Sequence, residues 1–251
     1  MAGHNKWSKV KRLKGALDQK RGKLFSKLAK EITVAAKMGG GDPEGNPRLR
    51  SAILAARAQS MPSDNIERAI KRGTGAEADS AALVELIYEA YAPGGVALMI
   101  EVATDNRNRT AQDLRLIFSK NHGNLATPGA VSYMFHKKGQ ITVPAAAIGE
   151  DELFEIALNA GAEELVSDDS HHVVTTAADR LYAVAEALKT AGVQADSQKL
   201  TFVPENTVTV TDPAIAAQVV RLIDALEDSD DVQNVHSNFD ATEEVFEKIS
   251  G

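Results

Sequence analysis

The sequence predicts a multi-domain protein of mixed α and α+β class. An N-terminal helical domain is followed by two α/β domains with mainly antiparallel sheets, one of them ferredoxin-like. Three observations carry this prediction. Apolar residues recur with a helical period up to about residue 75 and with a period of two after Ala78. Between Gln140 and Val203 the pattern reads strand, helix, strand, strand, helix, strand, which is the order of a split βαβ unit. The flanking segments 84–135 and 206–237 each supply only part of a balanced layer, so they are expected to close one discontinuous domain around the insert. The expected division is 1–78 for the basic helical domain, 79–138 plus 204–251 for the discontinuous domain, and 139–203 for the inserted βαββαβ domain.

The helical part begins with clear periodicity between Lys20 and Lys37. Leu24, Leu28, Ile32 and Ala35 fall on one face, with Lys20, Lys23, Lys27, Lys30 and Lys37 opposite, so that lysine face is expected to be exposed. Gly39-Gly40-Gly41-Asp42-Pro43 ends the helix. Asn46-Pro47 opens a second helix, with Leu49, Ile53, Leu54 and Ala56 inward. Met61-Pro62 breaks it, and Asp64 with Glu67 resembles a capping box for a third helix from Asn65 to about Arg72. Helical pairs across short breaks can be helix-turn-helix motifs. Here the third helix is short and has no obvious base-reading set, so a helical hairpin is the reading adopted.

Beyond Ala78, Val84 to Tyr91 and Val96 to Thr104 read as strands joined by Ala92-Pro93-Gly94-Gly95. Thr110 is expected to cap the next helix, which turns Leu114, Ile117 and Phe118 inward. Ala130 to Phe135 reads as a strand and Lys137-Lys138-Gly139 as a junction. Within the insert, Gly161 and Gly192 mark helix ends. After it come a strand at Thr207–Thr211, a helix opened by Asp212-Pro213, a strand at Val232–Ser237, and a last helix capped by Asp240.

Composition narrows the chemistry. The chain has 251 residues, 43% of them hydrophobic and 25% charged, which is enough to fill cores of ordinary globular size. Cysteine is absent, which excludes disulfides, thiolate nucleophiles and cysteine-ligated metals. No apolar run reaches the roughly 20 residues that span a bilayer, and the N-terminus lacks the apolar core of a secretory signal. Its basic, acid-poor character is shared with transit peptides, but Gly3, His4, Trp7 and the scarcity of serine argue against one. The expectation is a soluble cytoplasmic protein.

Charge is strongly segregated. Residues 1–75 carry 17 Lys and Arg against 6 Asp and Glu, a net of +11, whereas residues 76–251 carry -18. A cationic segment on an acidic body points to a polyanion as partner. The lysines could also be no more than a solvated face. Asp105-Asn106-Arg107-Asn108-Arg109-Thr110 lies between a strand and a helix start; it could hold a phosphate, or be a polar turn with a cap. Trp7 could stack on a base or anchor the N-terminal arm. Asp168, Asp169, His171 and His172 suit an exposed hairpin turn better than a metal site, since adjacent strand side chains point to opposite faces. No nucleophile elbow supports a Ser–His–Asp site.

The chain resembles the YebC/PmpR family, which has a mitochondrial relative that activates translation of cytochrome c oxidase. The residues that carry the resemblance are MAGHNKW, DQKRGKLFSKLAKEI, GGGDPEGNPRLR, MPSDNIERAIKRGTG, YEAYAPGGVA, TDNRNRT and MFHKKGQI, spanning residues 1 to about 141. Leu13, Ala90, Ala92, Ala126 and Ala130 depart from the usual pattern. The resemblance implies three domains and no enzymatic activity. It also implies a probable DNA-binding transcriptional regulator or, alternatively, a ribosome-associated factor that binds ribosomal RNA and relieves stalling at proline-rich stretches.

The nucleic-acid contacts are expected from Lys6, Trp7, Lys9, Lys11, Arg12, Lys14, Lys20, Arg21, Lys23, Lys27, Lys30, Arg68, Lys71, Arg72, Arg107 and Arg109. No catalytic residue, metal or cofactor is expected. The partner is nucleic acid, either DNA or ribosomal RNA, with the ribosome as a further candidate and no membrane.

Overall fold

The computed structural model describes residues 21–76 and 83–250. The chain divides into two compact units. One holds Met1–Val34, Glu77–His136 and Val203–Gly251; the other holds Ala35–Ala76 and Lys137–Phe202.

In the first unit, β1 (Val84–Tyr91) and β2 (Ala97–Thr104) form an antiparallel hairpin with Ile87 opposite Glu101. The turn is a 3₁₀ turn at Pro93–Gly95, closed by the Ala92 N–H donating to the Val96 carbonyl at 2.8 Å. Two short or late strands complete the sheet, β3 (Asn124–Leu125) and β9 (Val232–Ser237), in the order β3-β1-β2-β9. Helices α4 (Arg107–Lys120) and α7 (Pro213–Glu227) supply the apolar cover. Leu98, Ile100 and Val102 of β2 join Leu114 and Phe118 of α4 and Val219, Leu222, Ile223 and Leu226 of α7 in one core. Alternation along β2 and a three-to-four spacing along each helix bring these residues to one layer. The chain finishes with β8 (Val208–Val210) pairing in parallel with β10 (Phe239–Ala241), and then α8 (Glu243–Ser250). Phe239 and Phe246 meet edge-to-face at 6.1 Å.

The second unit contains α2 (Pro47–Ala58), α3 (Ser63–Gly73) and a four-stranded sheet. Its strands are β4 (Phe135–Pro144), β5 (Ala162–Ser167), β6 (His171–Ala177) and β7 (Ser197–Pro204), in the order β5-β6-β4-β7. With α5 (Glu150–Asn159) and α6 (Leu181–Thr190) this is the ferredoxin-like arrangement read from the sequence. Ile141, Val143, Leu153, Ala157, Val174, Leu181, Val184 and Leu188 form its core. Gly139 is required where β4 passes β6 and α6: a Cβ there would lie 2.3 Å from Thr176 Oγ1 and 2.7 Å from Leu181 Cβ.

The remaining helix, α1 (Arg21–Gly39), contains the boundary between the two units. It ends at Gly40, whose φ of +86° suits glycine. Asn46 caps α2: its side chain accepts from the Leu49 N–H at 3.1 Å and donates to the Ala35 and Gly40 carbonyls at 2.8 and 2.9 Å.

Several local expectations are corrected. Helix α3 starts at Ser63 with Pro62 in the cap position, so Asp64 lies within the first turn and makes no cap. Leu54, expected inward, is 42% exposed. Helix α4 is capped by Asn106, whose side chain accepts from the Arg109 N–H; Thr110 lies inside the helix and is buried. The expected strand at Ala130–Phe135 is instead a loop and a 3₁₀ turn at Ser132–Met134, and Lys137-Lys138-Gly139 belongs to β4. The cause is Glu89, a buried side chain on β1. Its carboxylate takes the N–H groups of Gly129, Val131 and Ser132 at 2.6, 2.6 and 2.8 Å, leaving them unavailable to a sheet. Asp240 lies in β10 opposite Thr209 and does not cap α8.

Candidate nucleic-acid interface

Lys23, Lys27 and Lys30 follow one another at intervals of four and three along α1, so they share one face. That face is not left to solvent, which corrects the sequence expectation. Lys23 Nζ donates to the carbonyl and carboxylate of Asp228, Lys27 Nζ to the Glu227 carbonyl at 2.6 Å, and Lys30 Nζ to the Asp230 carbonyl at 2.8 Å. These acceptors are the last carbonyl of α7 and those of the turn after it. A helix C-terminus leaves carbonyls without intrahelical donors and carries partial negative charge, so lysines are favoured there. Four acids in five residues, Glu227, Asp228, Asp230 and Asp231, add to the field.

Asp231 is the centre of this contact. Its Oδ1 accepts from Lys30 Nζ at 2.7 Å. Its Oδ2 accepts from Arg109 Nη2 at 2.9 Å and from the Thr110 hydroxyl at 2.7 Å, with the Thr104 hydroxyl at 3.3 Å. Burial by itself would raise the Asp231 pKa. The bonds from Lys30, Arg109 and Thr110 outweigh it and hold the carboxyl down to about 2. The same contacts, those from Asp231 first and then Asp105, raise the pKa of Arg109.

Residues 105–110 form a capped helix start tied to an internal carboxylate. Arg109 is engaged by Asp231 and Asp105, the latter at 2.9 Å, whereas Arg107 is exposed at the start of α4. Neither Asp231 nor Thr104 was singled out by sequence. Asp231 sits in an acidic run that reads as a solvated turn, and its partners are more than 120 residues away in the chain.

In the second unit, α3 buries Ile66 and Ala69 and exposes Arg68, Lys71 and Arg72. Arg68 donates to Asn65 Oδ1 at 2.6 Å and to the Asp64 carbonyl at 3.3 Å. Arg57 of α2 is exposed as well. Lys6, Trp7, Lys9, Lys11, Arg12, Lys14 and Lys20 lie outside the described residues, as does the side chain of Arg21.

Among the described residues, no group of His, Asp and Glu is arranged to hold a metal ion, and no helix is long and apolar enough to cross a membrane. His172 is buried between the Ser167 hydroxyl at 2.7 Å and the Ile148 carbonyl at 3.0 Å. Asp168 closes the β5–β6 turn by accepting from the N–H groups of Ser170 and His171.

Comparison with known proteins places these features in context. The model of the TACO1/YebC protein N-terminal domain matches residues 5–76, and that of the TACO1/YebC second and third domain matches residues 83–239. A probable transcriptional regulatory protein of Desulfotalea psychrophila is 55% identical over 250 residues, covering all of both chains. One of Rubrobacter xylanophilus is 54% identical over 251 residues, again covering all of both. The crystal structure of a conserved hypothetical protein from Aquifex aeolicus superposes with a TM-score of 0.84 at 48% identity, covering 90% of this chain and 93% of that one.

Proposed function

Because the chain belongs to the TACO1/YebC family, we propose that it is a non-enzymatic, DNA-binding regulator of transcription that acts in the cytoplasm through its basic N-terminal domain. Its full-length relatives carry the name of probable transcriptional regulatory proteins. The single observation that carries the reading is the charge segregation, +11 over residues 1–75 against -18 over the remainder. Helix α3 exposes Arg68, Lys71 and Arg72, and the sequence of the first twenty residues contains Lys6, Lys9, Lys11, Arg12, Lys14 and Lys20. Such groups bind phosphates and release counterions, which supplies affinity without reading bases. Helix α3 has eleven residues, and its Arg68 is tied to its own first turn, so phosphate positioning is favoured over base readout.

The test is fluorescence anisotropy with a labelled duplex and with a ribosomal RNA fragment, each titrated across salt. With six to ten phosphate contacts, affinity for the duplex falls roughly 10³–10⁵-fold between 50 and 200 mM salt. A curve flat in salt removes the reading. Tighter binding to the RNA fragment at every salt concentration replaces it with a translation factor acting on the ribosome.

A further inference from the structure

We propose that the acidic turn 227–231 is an intramolecular stand-in for nucleic acid. It occupies the lysine face of α1 and is displaced when a polyanion binds. The proposal rests on the nucleic-acid reading above and adds a second state to it.

The chemistry of the turn resembles that of a phosphate backbone. It offers only acceptors to the lysines: the carbonyls of Glu227, Asp228 and Asp230 and the carboxylates of Asp228 and Asp231. Lys23, Lys27 and Lys30 form a row about 10 Å long on the helix. One strand of a duplex places about three phosphates along that length, at 3.4 Å of axis each. Each lysine can therefore exchange its carbonyl or carboxylate oxygens for phosphate oxygens without a change in α1.

The contact is graded, and the grading decides how it opens. The Lys23 and Asp228 side chains are 35% and 71% exposed, so water and salt screen this pair. The Lys30 and Asp231 side chains are 19% and 9% exposed, so this pair is the firmer one. Release consequently starts at Lys23 and proceeds towards Lys30. Asp231 is not orphaned when Lys30 leaves, because Arg109 and the Thr110 hydroxyl still hold its Oδ2. An internal carboxylate left alone would oppose release; here it keeps two donors. The turn is thus built to let the lysines go without unfolding the sheet and helices behind it.

The experiment compares single substitutions in the full chain, read by anisotropy with a 20-base-pair duplex. Asp228→Asn loosens the screened end and is expected to tighten binding about threefold. Glu244→Gln on α8 makes the same change in net charge on an exposed residue and serves as the control, with a smaller effect. Lys23→Ala and Lys27→Ala are each expected to lower the slope of log affinity against log salt by about 0.9, the loss of one phosphate contact. Unchanged slopes in both lysine variants, or an Asp228→Asn effect no larger than that of Glu244→Gln, overturns the proposal. If the wild-type chain binds neither duplex nor RNA, the nucleic-acid reading falls on its own. The displacement is then decided with a heparin oligosaccharide as the polyanion, where equal affinity of wild type and Asp228→Asn overturns it and tighter binding by the variant supports it. Thermal unfolding of each variant verifies that it is folded.

Discussion

Asp231 and Glu89 show how two single carboxylates fix stretches of chain that hydrophobic patterning leaves free. The Asp231 carboxyl is held at about 2, against an ordinary aspartate value near 3.9, so its ionised form is stabilised by on the order of 2 kcal/mol in the folded state. Because the folded value is the lower one, this stabilisation is whole above pH ~4. It is lost as pH falls from ~4 to ~2. Urea unfolding across that range should show wild type losing the increment while Asp231→Asn, already about 2–3 kcal/mol weaker at pH 7, converges on it. Parallel profiles for the two proteins would contradict this account. For Glu89, burial opposes ionisation, but three backbone N–H donors, from Gly129, Val131 and Ser132, outweigh it and lower the pKa. Glu89→Gln keeps one acceptor oxygen and turns an NH₂ group towards the donors, at a cost of about 2–3 kcal/mol. Hydrogen exchange should locate the damage, with the amides of residues 129–132 losing protection before the β1–β2 hairpin does. Sequence gave little warning of either residue. Glu89 looks like one more polar position in an alternating strand, and Asp231 like one acid among four. The donors that make them structural are brought in from 40 or more residues away.

At the scale of elements, local signals were legible and distant ones were not. The helical period of Leu24, Leu28 and Ile32, the Asn46-Pro47 start of α2 and the positive φ of Gly161 and Gly192 after α5 and α6 are all written within one or two turns of chain. The βαββαβ order could be read because each of its elements has its own period and its own stop. The strands β3 and β10 do not stand out in the sequence: Asn124–Leu125 is too short to alternate, and Phe239–Ala241 follows β9 after Asn238 alone, with no stop signal of its own. The start of α4 was misplaced for another reason: Asn106 and Thr110 are both competent caps, and only the buried Asp231 decides that Thr110 faces inward. On the lysine face of α1, Lys37 is exposed as expected, whereas Lys23, Lys27 and Lys30 meet internal acceptors, since period alone says nothing of what a face meets. Asn46 allows a test at this scale. It caps α2 and also bonds two carbonyls at the end of α1 and in the loop after it, so Asn46→Ala should cost about 2 kcal/mol, at the upper end for an N-cap. Restoration by Asp, which can cap but cannot donate, should be incomplete in chemical denaturation.

For the whole molecule, the charge of -7 conceals a division of labour along the chain. The family relationship and the fold were legible because motif residues and element order extend over most of the length. The inward use of three lysines was not, and it changes how the net charge should be interpreted: part of the N-terminal excess is balanced within the protein before any partner arrives. The contacts that balance it join residues 200 to 205 positions apart. A ribosome adding about 5–20 residues per second takes roughly 10–40 s to cover that distance. Throughout that interval the nascent chain presents Lys23, Lys27 and Lys30 without their internal acceptors, within reach of whatever polyanion lies beside the exit tunnel. Synthesis itself therefore sets the moment at which this protein first becomes self-neutralised, and truncation anywhere before residue 227 would leave the chain permanently in its more adhesive form.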